Sequence, residues 1–176
     1  ELHQHPEIRF EDHRTSDRIA AELSDIGFSV KRGYARGTGL TGTIGKQSGR
    51  VIALRAELDG LGMEEEQGVP YASKTTGRMH ACGHDGHMAM LCGAGRILAE
   101  HANELECGVR LIFQPGEEVG CGGKLMVEEG VLDNVSAVFG MHGWPTIPLG
   151  KIGLKSGAAM AGADWFRITV HGKGCH

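Results

Sequence analysis

Apolar residues fall at helical spacing between Thr15 and Ile26, where Ile19, Ala20, Leu23 and Ile26 form one stripe. Thr15 stands where a cap belongs and Gly27 where a helix stops. The next segments change period. Phe28–Lys31 reads as a short strand, and Leu40–Ile44 and Arg50–Arg55 as two strands joined by the polar turn Gly45–Gly49. Val51-Ile52-Ala53-Leu54 is apolar without alternation, the pattern of a strand covered on both faces. Residues 60–79 show no period and are expected to be loop. A helix is predicted over Gly86–Glu100, with Met90, Leu91, Ala94, Ile97 and Leu98 on one side. A buried strand follows at Val109–Phe113, a helix at Cys121–Glu129 ended by Gly130, and a third buried strand at Ala137–Met141.

Strands that are apolar throughout and alternate with helices predict an α/β layered fold with a largely parallel central sheet. In such sheets, sites gather in the loops past the carboxyl ends of the strands. The pattern changes after residue 150. Gly150–Gly162 is rich in Gly and Ala, and Trp165–His171 then alternates, with Phe166, Ile168 and Val170 on one face. This reads as the first strand of a separate, half-exposed sheet. The expected division is therefore residues 1–162 and the start of a second domain at 163–176, cut off just after its first strand. No internal repeat is visible.

Composition narrows the class. With 40% hydrophobic residues, 5% aromatics and 29 glycines, the core is expected to be aliphatic and the loops numerous. The net charge is −4 and no Lys/Arg run is present, so a nucleic-acid partner is not expected. No long uninterrupted apolar stretch occurs, so no membrane span is expected. The five cysteines are odd in number and irregularly spaced, which suits reduced thiols and a cytoplasmic setting better than a disulfide framework.

Candidate chemistry sits at the strand ends. His80-Ala81-Cys82-Gly83-His84-Asp85-Gly86-His87 packs His, Cys and Asp just ahead of a helix. In an extended segment Cys82 and His84 point the same way, and a thiolate with an imidazole suits zinc and similar metals. Asp85 could orient a ligand or cap the helix. A polar loop with an incidental His cluster is the alternative. Gln114-Pro115-Gly116-Glu117-Glu118 closes the strand before it, and loop geometry would allow both carboxylates into one cleft. Two such groups repel unless cations lie between them, which suggests one ligand and one general base. An exposed charged loop is the alternative. His142 follows the third buried strand, where a structural histidine is the other reading. Glu57 and Asp59 share a face at the end of Arg50–Arg55, as support for ligands or substrate, or as surface charge.

These sets, in this order, resemble the M20 metallopeptidase superfamily, in particular its aminoacylase, hippurate hydrolase and auxin-conjugate hydrolase branch. The resemblance is carried by LHQHPEIRFED (2–12), RAELDGL (55–61), GRMHACGHDGHMAML (77–91), FQPGEE (113–118), GMHGWP (140–145) and GKGCH (172–176). It implies a three-layer α/β/α zinc-peptidase-like catalytic domain, followed by an α+β lid and dimerisation domain. It also implies a binuclear centre of divalent ions (Zn, Mn, Co or Ni). Cys82, His84, Glu118 and His142 would be ligands, Glu117 the general base, and Asp59 and Asp85 supporting residues. His176 would contact the substrate or its oxyanion. The family's remaining ligand is a histidine expected beyond this chain, and the fragment alone is expected to be inactive. The implied reaction is hydrolysis of the amide of an N-acyl amino acid or related small amide by a homodimer formed through the lid. The alternatives are a dipeptidase or carboxypeptidase of the same superfamily and a non-catalytic metal-binding homologue. Three positions depart from the family, which usually has Asp at 57, Pro at 62 and Gly at 175, where this chain has Glu57, Gly62 and Cys175. His3 and His5 belong to a scaffold motif and are not expected on metal.

Overall fold

A computed structural model describes residues 1–46, 49–66, 68–162, 164, 166–174 and 176. The described residues form two compact units, Glu1–Gly143 and Trp144–His176.

The first unit is built on five strands: β1 (Ser29–Tyr34), β2 (Gly39–Gly45), β3 (Val51–Glu57), β4 (Gly108–Gln114) and β5 (Val135–Gly140). Their order across the sheet is β1-β2-β4-β3-β5. β3 runs parallel to both β4 and β5, while β2 is antiparallel to β4 and to β1. Four strands therefore share one direction and β2 alone opposes them. The sheet is largely parallel, as the apolar runs predict. The segments flanking the turn at 45–49 are not sheet neighbours, because β4 inserts between β2 and β3. Of that turn, Gln47 and Ser48 lie outside the described residues.

Helices α1 (His13–Asp25) and α2 (His84–Glu100) cover one face, and the short α3 (Gly122–Glu128) lies against the other. Leu23 of α1 and Met88 of α2 pack with Leu40, Ala56, Leu111 and Phe113. Ile112, between Leu111 and Phe113, turns to the opposite face with Ala53, Met126 and Val131. This is the period-2 alternation of a strand with two buried sides, and it gives the three-layer α/β/α arrangement.

Two local expectations are revised. α1 starts at His13, ahead of Thr15, and its orphan N–H groups are met by Glu7 instead. The Glu7 carboxylate accepts from the amides of Arg14 (3.1 Å) and Thr15 (2.7 Å). Second, β5 is not buried. Val138 is 46% and Phe139 59% exposed, because β5 is the edge strand and β3 is its ladder partner. Apolar sequence marks a surface that tolerates cover, whereas burial depends on what packs over it. No described residue of Trp144–His176 lies in a strand or helix. Trp165, at the start of the expected strand, is outside the described residues; Phe166, Ile168 and Val170 are exposed and unpaired in any ladder. An alternating pattern becomes a strand only when a second segment satisfies its backbone.

Candidate active site

Because β3, β4 and β5 are parallel, their carboxyl ends open on one edge of the sheet. The segments that leave them carry Asp59, Glu117–Glu118 and His142. The amino end of α2 delivers His84 and His87 to the same place. Cys82 sits in a turn closed by the amide of Gly83 donating to the carbonyl of His80 (3.3 Å), not in an extended segment. Gly83, at the helix N-cap with φ +84°, makes the reversal that a side chain would disfavour. The thiol and His84 therefore converge through a turn.

The side chains form overlapping groups. The ligand atoms of Cys82, His84 and His142 lie within 4.8 Å of one another, as do those of His84, Glu117 and Glu118 and those of Glu57, His84 and His87. The Cys82 Sγ is 3.3 Å from His142 Nε2. His84 Nε2 is 3.7 Å from Glu117 Oε2 and 3.8 Å from Glu118 Oε1. His84 is fully buried, and its Nδ1 lies 2.6 Å from the Asp59 carbonyl. A carbonyl only accepts, so Nδ1 carries the proton and Nε2 presents its lone pair to the carboxylates. His142 is fixed likewise, with Nδ1 2.7 Å from the Gly143 carbonyl. The Asp59 side chain accepts from the amides of Glu117 (3.0 Å) and Glu118 (3.1 Å), one on each oxygen. It thereby sets the path of the twin-glutamate loop.

That loop also depends on Gly122. A Cβ there would stand 1.7 Å from the Pro115 carbonyl oxygen. The close approach lets the Gly122 amide donate to Gly116 and close the turn that carries the glutamates.

The electrostatics are those of an anionic cluster. Burial, then the Glu118 charge, push the Cys82 thiol up to about 12. Burial and Glu118 also hold the Glu117 carboxyl above its ordinary range. Burial raises Asp59, against the pull of the two amides it accepts from. Two buried atoms of this cluster, His84 Nε2 and Glu118 Oε1, have no hydrogen-bond partner. Divalent cations supply what such a set lacks: charge to offset the carboxylates and a partner for lone pairs of a soft and a borderline donor.

Cys82, His84, Glu117, Glu118, His142 and Asp59 are thus brought together. Asp85 faces elsewhere: its carboxylate meets His3 Nδ1 at 2.8 Å, and His3 Nε2 lies 3.2 Å from Glu65, so Asp85 ties the N-terminal segment to α2. It does not cap α2. His176 belongs to the second unit and is exposed. Sequence reasoning gave no role to His87, buried beside Glu57 at Nδ1–Oε2 2.8 Å. The signal was present, because His84 and His87 stand three apart on a helix and share a face. Nor did it assign His80, which is buried with both ring nitrogens unpartnered; burial holds its pKa down at about 4.

Comparison with known proteins fits this geometry. The family model for peptidase family M20/M25/M40 matches residues 53–173. An N-acetylcysteine deacetylase of Bacillus subtilis is 43% identical over 100% of this chain and 47% of its own length. The IAA-amino acid hydrolase ILR1-like 4 of Arabidopsis thaliana is 44% identical over 99% of this chain and 40% of its own. Thermostable carboxypeptidase 2 of Saccharolobus solfataricus is 42% identical over 99% and 45%. Among solved structures, the YXEP protein of Bacillus subtilis, described as a dinuclear metal binding peptidase from the M20 family, superposes with a TM-score of 0.83. It is 42% identical, over 88% of this chain and 43% of that one. The chain spans about half the length of the curated relatives it matches. With the family model covering more than half of its residues and motifs converging at one edge of an α/β/α sheet, the chain belongs to peptidase family M20/M25/M40.

Proposed function

We propose that this chain carries the metal centre of a hydrolase that cleaves the amide bond of N-acyl amino acids or related small amides. The observation that carries the reading is the pair of ligand groups, Cys82–His84–His142 and His84–Glu117–Glu118, that share His84, with His84 Nε2 and Glu118 Oε1 unpartnered. Cys82, His84, Glu118 and His142 would hold two divalent ions. The thiolate favours zinc, while the carboxylates also accept manganese, cobalt or nickel. Bound there, such ions supply a water of lowered pKa and polarise the scissile carbonyl.

The protein's own part is proton handling and orientation. Glu117 is the more exposed of the two glutamates, at 39% against 18%, so water and substrate reach it. Burial and the neighbouring Glu118 charge hold its carboxyl above the ordinary range, which suits a proton acceptor. Glu117 takes the proton of the attacking water and returns it to the leaving amine. Asp59 keeps Glu117 and Glu118 in register through their amides. The assignment of His176 to the oxyanion rests on the sequence resemblance alone. So does the homodimer, whereas the lid domain beginning at residue 163 is supported also by the alternating pattern of Phe166, Ile168 and Val170, and the cytoplasmic setting by the irregular, odd set of cysteines. Among the described residues no helix is long and apolar enough to cross a membrane.

The names of two relatives, a deacetylase and an amino acid hydrolase, support small N-acyl substrates. A carboxypeptidase among the relatives keeps a peptidase as the second reading. A panel of N-acetyl, N-benzoyl and dipeptide substrates on the metal-loaded protein separates the two. Replacing Glu117 with Gln is expected to cut turnover by about 10²–10⁴-fold with metal content retained. Equal loss of metal in that variant refutes the division of roles between Glu117 and Glu118.

A further inference from the structure

We propose that His87 is a positioning residue: it holds the turn that aims His142, and Glu57 and Arg55 lock it in the one tautomer able to do so. The proposal rests on the reading of His142 as a metal ligand.

The geometry defines the hydrogen positions. The amide of Gly143 donates to His87 Nε2 at 2.8 Å. A backbone amide can only donate, so Nε2 bears the lone pair and the proton is on Nδ1. That proton is directed at Glu57 Oε2, 2.8 Å away. The other Glu57 oxygen accepts from the Arg55 guanidinium, which also donates to Gln114 Oε1 at 3.0 and 2.6 Å. The result is a chain that converges on the Glu57 carboxylate: Arg55 donates to one oxygen, His87 to the other, and the amide that follows His142 donates to His87. His87 and Glu57 are both buried.

His87 acts on His142 twice. It holds the next residue's backbone, and its ring packs against the His142 ring edge-on, with centroids 4.7 Å apart. His142 leaves an exposed edge strand, so little else in the first unit packs over the strand it follows. A ligand on such a strand needs an anchor on a helix, and the first turn of α2 supplies it.

Glu57, His84 and His87 also lie close enough to be a metal group themselves. Atom accounting argues otherwise. Both nitrogens of His87 and both oxygens of Glu57 are engaged within the protein. Among the side chains of the three groups, the buried atoms without a partner are His84 Nε2 and Glu118 Oε1, and neither belongs to Glu57 or His87. The Glu57–His87 pair therefore supports and does not ligate.

Two substitutions separate the contacts. The Gln side chain of His87→Gln reaches the place of Nε2 and keeps an acceptor for Gly143. The shorter His87→Asn keeps only a donor near Nδ1 for Glu57. The metal-free chain is examined first, by ¹⁵N shifts of the imidazoles and hydrogen exchange of the Gly143 amide. His87 is expected as the Nδ1–H form, with Gly143 protection retained in His87→Gln and lost at least about tenfold in His87→Asn. An Nε2–H tautomer, or protection unchanged in His87→Asn, overturns the proposal. Co²⁺ is then titrated, reading the thiolate-to-cobalt absorption of Cys82. His87→Asn is expected to weaken Co²⁺ by about 10–100-fold and His87→Gln to recover most of that loss. Equal affinities in the two variants overturn the proposal. Their metal-free melting temperatures, expected to match, exclude a folding effect. If the unsubstituted chain gives no cobalt–thiolate band, the metal reading of Cys82 and His142 fails. Gly143 exchange then decides by itself whether His87 holds the turn.

Discussion

Asp12 is a carboxylic acid that folding buries completely, with neither oxygen hydrogen-bonded. Burial first, then the charges of Asp59 and Glu7, raise it from 3.8 to about 8. The change corresponds to roughly 6 kcal/mol against the ionised form. At pH 7 the folded chain avoids most of this by keeping Asp12 protonated, but the unfolded chain gains from ionising. Only the interval from 3.8 to 7 then counts, about 4 kcal/mol. The sign follows from a folded pKa above the unfolded one. Below pH 3.8 the titration adds no penalty, and stability is lost as pH rises toward about 8. Asp12→Asn removes the titration. Its amide brings an extra donor into an unpartnered site, at a cost of about 1–2 kcal/mol. The net expectation is a gain of about 2 kcal/mol at pH 7, shrinking to nothing near pH 5. Urea unfolding of the metal-free protein at pH 5, 6, 7 and 8, followed by circular dichroism, measures it. The difference between variant and parent should grow by up to about 1.4 kcal/mol per pH step. A difference that stays constant across this range refutes the account, because a packing effect carries no protons.

Further outcomes are expected at the site. Gly122→Ala drives a methyl into the Pro115 carbonyl, now 1.7 Å from where it would lie, and should cost about 3 kcal/mol in urea unfolding while weakening Zn²⁺ binding. Asp59→Ala orphans the amides of Glu117 and Glu118 and should cost about 2 kcal/mol, with turnover falling further than melting temperature. Zn²⁺ at 100 times its dissociation constant should stabilise the chain by about 3 kcal/mol, read as a rise in melting temperature. Cys82→Ser should abolish most of that rise and leave the metal-free melt unchanged.

Much of the architecture was legible in the order of residues. Hydrophobic period is a local property, so the strands and helices could be placed from runs such as Val51–Leu54 and the stripe of α1. Polar residues directly after apolar strands could be read as loop residues, and parallel strands open their carboxyl ends on one edge. That is why the sequence alone groups Asp59, Glu117–Glu118 and His142 at strand ends. The nonlocal choices were not legible. Nothing in the two strands flanking residues 45–49 says that β4 comes between them, because ladder partners are chosen by the whole sheet. The exposure of Phe139 depends on what lies over an edge strand, not on its own apolarity. Tautomers are likewise invisible in a sequence: His84 and His87 are the same residue on one helix face. Only their partners decide the difference. A carbonyl below His84 turns its lone pair toward the glutamates, and an amide beside His87 turns its lone pair toward the backbone.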